Sequence, residues 1–330
     1  MFPYIDLHCD TLKRAECSDY KGSLMESPYT MVDFDRLKKG GAMGQFFAIF
    51  LPAPEDFHKE GIPYTDDDSY IERCVRNLKG FIEENPNMAI LAEKGTCIKD
   101  SWKDGKISSF LTLEDGRSVN GSFEKLIHYH NMGIRLITMT WNYENCFGYP
   151  NSTDSSIMNQ GLKPFGKEAI EAMNELGILV DVSHLSDGGF WDVAKISKKP
   201  FVASHSNCRN LTNHPRNLTD DMIHALADKG GIAGLNFCPL FLSDKVVPKG
   251  EFTSRIEDMV RHLNHMKNKG GEDYPAIGSD FDGIGGVLEI DSPLGMSRLF
   301  DALIKDGWSE RQIEKLAYKN ALRVLEECVF

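Results

Sequence analysis

The chain has 330 residues, 41% hydrophobic and 26% charged, ordinary globular usage that excludes a disordered polymer. Its 37 basic and 49 acidic side chains give a formal charge of −12, the wrong sign for a groove that tracks nucleic-acid phosphates. No apolar run reaches the roughly 20 residues of a membrane helix, and the N-terminus MFPYIDLHCD lacks the basic and apolar parts of a secretory signal, so no membrane contact and a cytoplasmic location are expected.

Along the chain, short β-type runs recur at 4–8, 43–51, 110–113, 134–140, 178–183, 201–204, 232–236 and 276–279. Several (ILVDV, FVAS, IAGLNF) are almost continuously apolar, as strands covered on both faces must be. Helical patterns lie between them. The stretch 66–84 opens on Asp66-Asp67-Asp68, acids that suit a helix N-terminus. The pattern at 164–176 opens on a proline and stops at Gly177. The stretch 219–229 opens on Thr-Asp-Asp, 253–269 is long and amphipathic, and 309–327 starts at Ser309-Glu310. No Gly/Ser/Pro-rich linker, internal repeat or GxGxxG fingerprint interrupts the alternation. It predicts one domain over 1–330, a single (β/α)8 barrel of TIM type, with its chemistry at the C-terminal ends of the strands. The eight cysteines are scattered without a CxxC pair, which predicts free thiols.

Those strand ends carry an unusual set of side chains. The first run ends in His8-Cys9-Asp10, and strand alternation puts His8 and Asp10 on one side and Cys9 on the other. The third ends in Glu114-Asp115-Gly116, where Glu114 follows the apolar run directly and Asp115-Gly116 suits a turn. The fifth and sixth end in His184 and His205. The eighth ends in Ser279-Asp280-Phe281-Asp282-Gly283, with Asp280 aimed inward and Asp282 in the turn. Three imidazoles and three carboxylates at five strand ends suit two zinc-like ions about 3.5–4 Å apart, bridged by one carboxylate, with an activated hydroxide between them. The remaining acid, Asp280, can shuttle a proton to a leaving group. The expected chemistry is metal-assisted hydrolysis of a carbon–nitrogen or ester bond.

At these residues the chain resembles the membrane dipeptidase (renal dipeptidase) family, metallopeptidases of the amidohydrolase superfamily. The resemblance is carried by DLHCDTL at 6–12, GQFFAIFLP at 44–52, LTLEDG at 111–116, ITMTWN at 137–142, GLKPFGKEAIEAMNELGILVDVSH at 161–184, ASHSNCRNLTNHPRNLTDDMI at 203–223 and GSDFDG at 278–283. It implies a binuclear zinc dipeptidase acting on small dipeptides. His8 and Asp10 would bind the first of two Zn2+ ions, Glu114 would bridge, and His184 and His205 would bind the second. It further implies that Arg216 holds the substrate's free carboxylate, that Asp280 contacts substrate and handles the proton, and that the protein forms a homodimer. A guanidinium fork suits a carboxylate. Superfamily relatives that bridge their metals with a carbamylated lysine carry it on the fourth strand; here that strand ends in Met139-Thr140-Trp141-Asn142, consistent with Glu114 as the bridge.

Two positions depart from the mammalian pattern. Trp141 aligns with a substrate-binding histidine, and Phe241 with a tyrosine. They keep open a related amidohydrolase acting on a lactam, lactone or N-acyl amino acid; an idle metal- or peptide-binding barrel is the non-enzymatic alternative. Of the remaining histidines, His128 and His130 read as a solvated helix face. For His262 and His265, three apart on a long amphipathic helix, a surface metal pair is the disfavoured alternative to plain surface residues, and His214 reads either as pocket lining or as loop polarity. Phe46, Phe47 and Phe50 read as core.

Overall fold

The computed structural model describes residues 2–245 and 252–330. Eight strands close on one another: β1 (Tyr4–Cys9), β2 (Ala42–Phe50), β3 (Ile107–Glu114), β4 (Ile134–Thr138), β5 (Leu179–Asp181), β6 (Val202–Ala203), β7 (Ile232–Leu235) and β8 (Pro275–Ile277). Each pairs in parallel with the next, and β8 pairs with β1 to complete the barrel. The expected (β/α)8 architecture is therefore what the chain adopts, with helices on the outside covering the apolar strands. A short strand at Ala89–Leu91 extends the sheet beyond the barrel by pairing with the first half of β3.

The helices begin where local chemistry starts them. Asp66 accepts from the Ser69 N–H, Ser122 from Lys125 and Thr219 from Met222, each satisfying an orphan donor of the first turn. Ser309 and Gln312 cap each other reciprocally. Two helical stretches are shorter than their periodicity predicts. Thr253–Ser254 pairs with Val287–Leu288 instead of joining the helix Ile256–Gly270. The last stretch is broken by a π-turn at Lys315–Lys319. The widened turn precedes buried Asn320, whose amide donates to Glu272 O (2.9 Å) and Pro275 O (2.8 Å).

Below the rim the barrel is solid. Phe46 of β2 and Phe110 of β3 stack at 4.6 Å among Ile5, Leu7, Leu136 and Val202. Gly234 on β7 and Gly278 just after β8 let the backbones approach so closely that a Cβ at either would collide with the Ser204 carbonyl.

His262 and His265 do not form a surface pair. His262 is fully buried; its Nδ1 accepts from Cys208 N–H (3.2 Å) and its Nε2 faces Leu242 O (3.0 Å). His265 pairs with Asp220 at 2.6 Å. Burial pushes the His262 pKa down to about 4. The unfolded chain, near 6.5, therefore takes up the proton first. The stability gained by keeping His262 neutral is present above about pH 6.5 and is lost as pH falls toward 4, up to ~3 kcal/mol. Urea midpoints measured across that window should fall, and the fall should be shallower in His262→Gln.

Candidate metal centre

The C-terminal rim gathers the predicted residues. Phe50 of β2 stands level with Glu114 of β3, and Glu114 with Thr138 of β4. Thr138 in turn stands level with Asp181 of β5. His8 on β1, and Asp10 just after it, arrive from one side, His184 and His205 from the loops after β5 and β6, and Asp280 from the loop after β8. All six proposed ligand or proton-handling side chains are buried.

Glu114 is at the centre. Its Oε2 lies 3.3 Å from His8 Nε2, while Oε1 lies 3.0 Å from His184 Nε2 and 3.7 Å from His205 Nε2. The two histidines of the far side are themselves 3.1 Å apart through their Nε2 atoms. On the near side, His8 Nε2 is 3.7 Å from Asp10 Oδ2 and 3.8 Å from Asp280 Oδ1. Two overlapping sets of donor atoms result, His8–Glu114–His205 and His8–Asp10–Asp280, each within 4.8 Å. Asp280 thus stands among the donor atoms, closer to a ligand's position than sequence reasoning put it.

Several of these atoms have no hydrogen-bond partner although they are buried: both ring nitrogens of His8, Asp10 Oδ1, Glu114 Oε2 and His184 Nδ1. A buried unpaired polar atom costs roughly 1–3 kcal/mol, so the Nε2 and carboxylate oxygen atoms that converge around Glu114 and Asp10 call for a cation. The donors, imidazole nitrogen and carboxylate oxygen, fit a divalent ion of the zinc type. Gly283 matters here as well. A Cβ at that position would run into Asp10 Oδ2 and Asp280 Oδ1, so the residue leaves the carboxylates room.

The electrostatics are those of crowded charge. Burial raises Asp10, and Glu114 adds to the rise. Burial likewise pushes Asp280 up to about 7, with Asp10 and Glu114 pushing the same way against His8. For Glu114, burial is outweighed by His8 and His184, which hold it well below the ordinary range. His8 is held high because Glu114 and Asp10 outweigh its burial. His184 falls to about 4 through burial, with Arg216 contributing.

The rim opens into a cavity of about 340 Å³. Arg216 lines it, 5% exposed, with Ser183 O and Ser206 Oγ (3.4 Å) as acceptors and its Nε unpartnered. Among the described residues no carboxylate forms an ion pair with it. Its guanidinium carbon sits 5.3 Å from the Phe241 ring, and His214 packs on that ring at 4.6 Å. His214 is therefore pocket lining. Trp141 lines the same cavity, edge-on to Phe50 at 4.8 Å; Phe50 is buried, as expected, and also forms part of the wall. Asp115 and Asp282 are turn residues, both at positive φ, and both also hold neighbouring segments. Asp282 accepts from Thr11 Oγ1 (2.7 Å) and from Met31 N–H (2.6 Å). Cys9 points away from the cluster, in contact with Thr11 Oγ1 at 3.4 Å, and all eight cysteines are free.

Sequence reasoning missed residues behind and beside this set. Asn236 donates to Asp280 Oδ2 at 2.8 Å. Asp6 accepts from Ser279 N–H (2.8 Å) and Oγ (2.6 Å), tying β1 to the segment that bears Asp280. Lys13 pairs with Glu60 at 3.1 Å on the cavity wall. The readable signal was an acid inside an apolar run, as in YIDL and ILVDV, which burial obliges to find donors.

The chain is 33% identical over 255 residues to an uncharacterized protein in the pqqA 5′ region of Klebsiella pneumoniae, covering 76% of this chain and 92% of that one. The crystal structure of dipeptidase AC, a metallopeptidase of family M19, superposes with a TM-score of 0.85 at 27% identity, over 99% of both chains. A metallopeptidase from Rhodobacter sphaeroides, liganded with a phosphinate mimic of the dipeptide L-Ala-D-Ala, superposes with a TM-score of 0.84 at 26% identity, again over 99% of both chains. No helix among the described residues is long and apolar enough to cross a membrane. The family defined as membrane dipeptidase, peptidase family M19, matches residues 1–329, and the chain belongs to it as a metallo-dipeptidase.

Proposed function

We propose that this enzyme hydrolyses small dipeptides at a two-zinc centre, with His8, Asp10 and Glu114 holding one ion and Glu114, His184 and His205 the other. The observation that carries the reading is the divided carboxylate of Glu114, one oxygen toward His8 and the other toward His184 and His205. Divalent ions so placed would lower the pKa of a water between them toward neutrality and polarise a peptide carbonyl.

The chain's own side chains supply the rest. Arg216, buried and without an acid of its own, takes the free carboxylate of the substrate's second residue, which sets the length of peptide accepted. Phe241, Trp141 and Phe50 form an apolar wall that excludes water around the scissile bond. Asp280 takes a proton from the attacking water and passes it to the departing amine as the C–N bond breaks and the C–O bond forms. Asn236 leaves Asp280 Oδ1 free for that exchange by binding Oδ2. The dipeptide mimic held by the Rhodobacter sphaeroides relative supports this substrate class.

The test is zinc content together with turnover of a dipeptide panel, before and after chelation; two equivalents of zinc and chelator-sensitive hydrolysis are expected, and a metal-loaded protein that cleaves no dipeptide would refute the reading. Arg216→Ala should raise KM for free dipeptides by tenfold or more, through loss of a charge-assisted pair, while leaving C-terminally amidated substrates unaffected; equal losses on both would remove the assigned role. Asp280→Asn should lower kcat by about 10²–10⁴-fold in protein that still binds zinc, as steady-state kinetics and elemental analysis together would report. Gly283→Ala should displace Asp10 and Asp280, so that isothermal titration reads weaker zinc binding while the circular dichroism spectrum stays that of the parent.

A further inference from the structure

Asp181 stands in none of the donor sets, yet its carboxylate is the most heavily bonded in the barrel. Its Oδ1 accepts from Ser183 N–H (3.1 Å), Ser183 Oγ (2.8 Å) and Ser204 N–H (2.8 Å). Its Oδ2 accepts from Thr138 Oγ1 (2.6 Å) and Ser204 Oγ (2.6 Å). These contacts draw the ends of β4, β5 and β6 to a single buried anchor beneath the rim.

The Ser204 hydroxyl has a second close neighbour, His205 Nδ1 at 2.7 Å. A hydroxyl carries one proton. Asp181 Oδ2, a carboxylate oxygen, is a far stronger acceptor than a neutral imidazole nitrogen. With its proton committed to Asp181, Ser204 can only accept on its other side, and Nδ1 of His205 must bring the hydrogen. That leaves Nε2 with an exposed lone pair, and Nε2 is the atom aimed at Glu114 and His184. The other two imidazoles lack this arrangement, since Nδ1 of His8 and Nδ1 of His184 have no partner. His205 N–H also donates to Ser183 Oγ at 3.0 Å, so both the backbone and the ring of this histidine are held from the same anchor.

We infer that Asp181 and Ser204 form a proton-ordered relay that locks His205 in the Nδ1–H tautomer, making them positioning residues for the ion on the His184–His205 side. The tautomer follows from the hydrogen bonds alone; the effect on the ion rests on the two-zinc reading above. A carboxylate behind a metal-binding histidine is a general device for fixing ring orientation. Here a serine is interposed, so the anchor reaches the ring from the neighbouring strand.

The test uses the full-length protein with ¹⁵N-labelled histidine, stripped of metal, and long-range ¹H–¹⁵N correlation spectra. The His205 signals are identified by their loss in His205→Gln. Wild type should show His205 as Nδ1–H, and Ser204→Ala should populate Nε2–H. In zinc titrations the alanine variant should lose about 10–100-fold in affinity for one of two equivalents and keep the other. An Nε2–H ring in wild type overturns the relay, and this result does not depend on the variant folding. A folded Ser204→Ala protein that matches wild type in zinc affinity overturns the positioning role. Wild-type protein that takes up no zinc, yet shows the Nδ1–H ring, would instead sink the two-zinc reading.

Discussion

Everything at the rim follows from the cost of burying three carboxylates within reach of one another. Asp10, Glu114 and Asp280 could share so dry a space only with compensating positive charge. The three imidazoles supply a fraction of it, and unevenly, since Glu114 and Asp10 favour charge on His8 while burial discourages it on His184 and His205. Nε2 of His8 and Oε2 of Glu114 face one another at 3.3 Å, and neither has a hydrogen-bond partner. The proposed pair of divalent ions would answer both deficits, charge and coordination, and the hydrolytic chemistry would be a by-product of that answer.

The barrel makes such crowding affordable. Closure leaves no free sheet edge in the ring, and the packed axis gives the strand ends a rigid base. Beneath the ligands, Asp6 and Asp181 act as fully bonded anchors that tie adjacent strands together by side chain as well as backbone. Preorganisation is thus layered, with aromatic packing lowest, hydrogen-bonded acids above it and the donor set on top.

Much of this was legible in the sequence, for a physical reason. His8, Glu114, His184, His205 and Asp280 each follow an apolar run that can only be a covered strand, and a polar group at the end of such a strand has few places to go. What was not legible depends on register and depth. Phe50 is buried as its apolar run suggests, but nothing in that run reveals that it stands level with Glu114 and lines the cavity. His262 looks like surface because helical spacing alone does not show that Leu242 O and Cys208 N–H enclose it. The strand at Thr253–Ser254 was hidden because its pairing partner, Val287–Leu288, lies far along the chain.

The stacked phenylalanines and the close glycine backbones under the rim have a kinetic corollary. They fill the axis beneath the cavity. On the proposed reading, a dipeptide would enter and its two amino acids would leave across the rim, and a fragment held by Arg216 would delay its successor. The same solidity that steadies the centre would then tie its pace to the clearing of that rim.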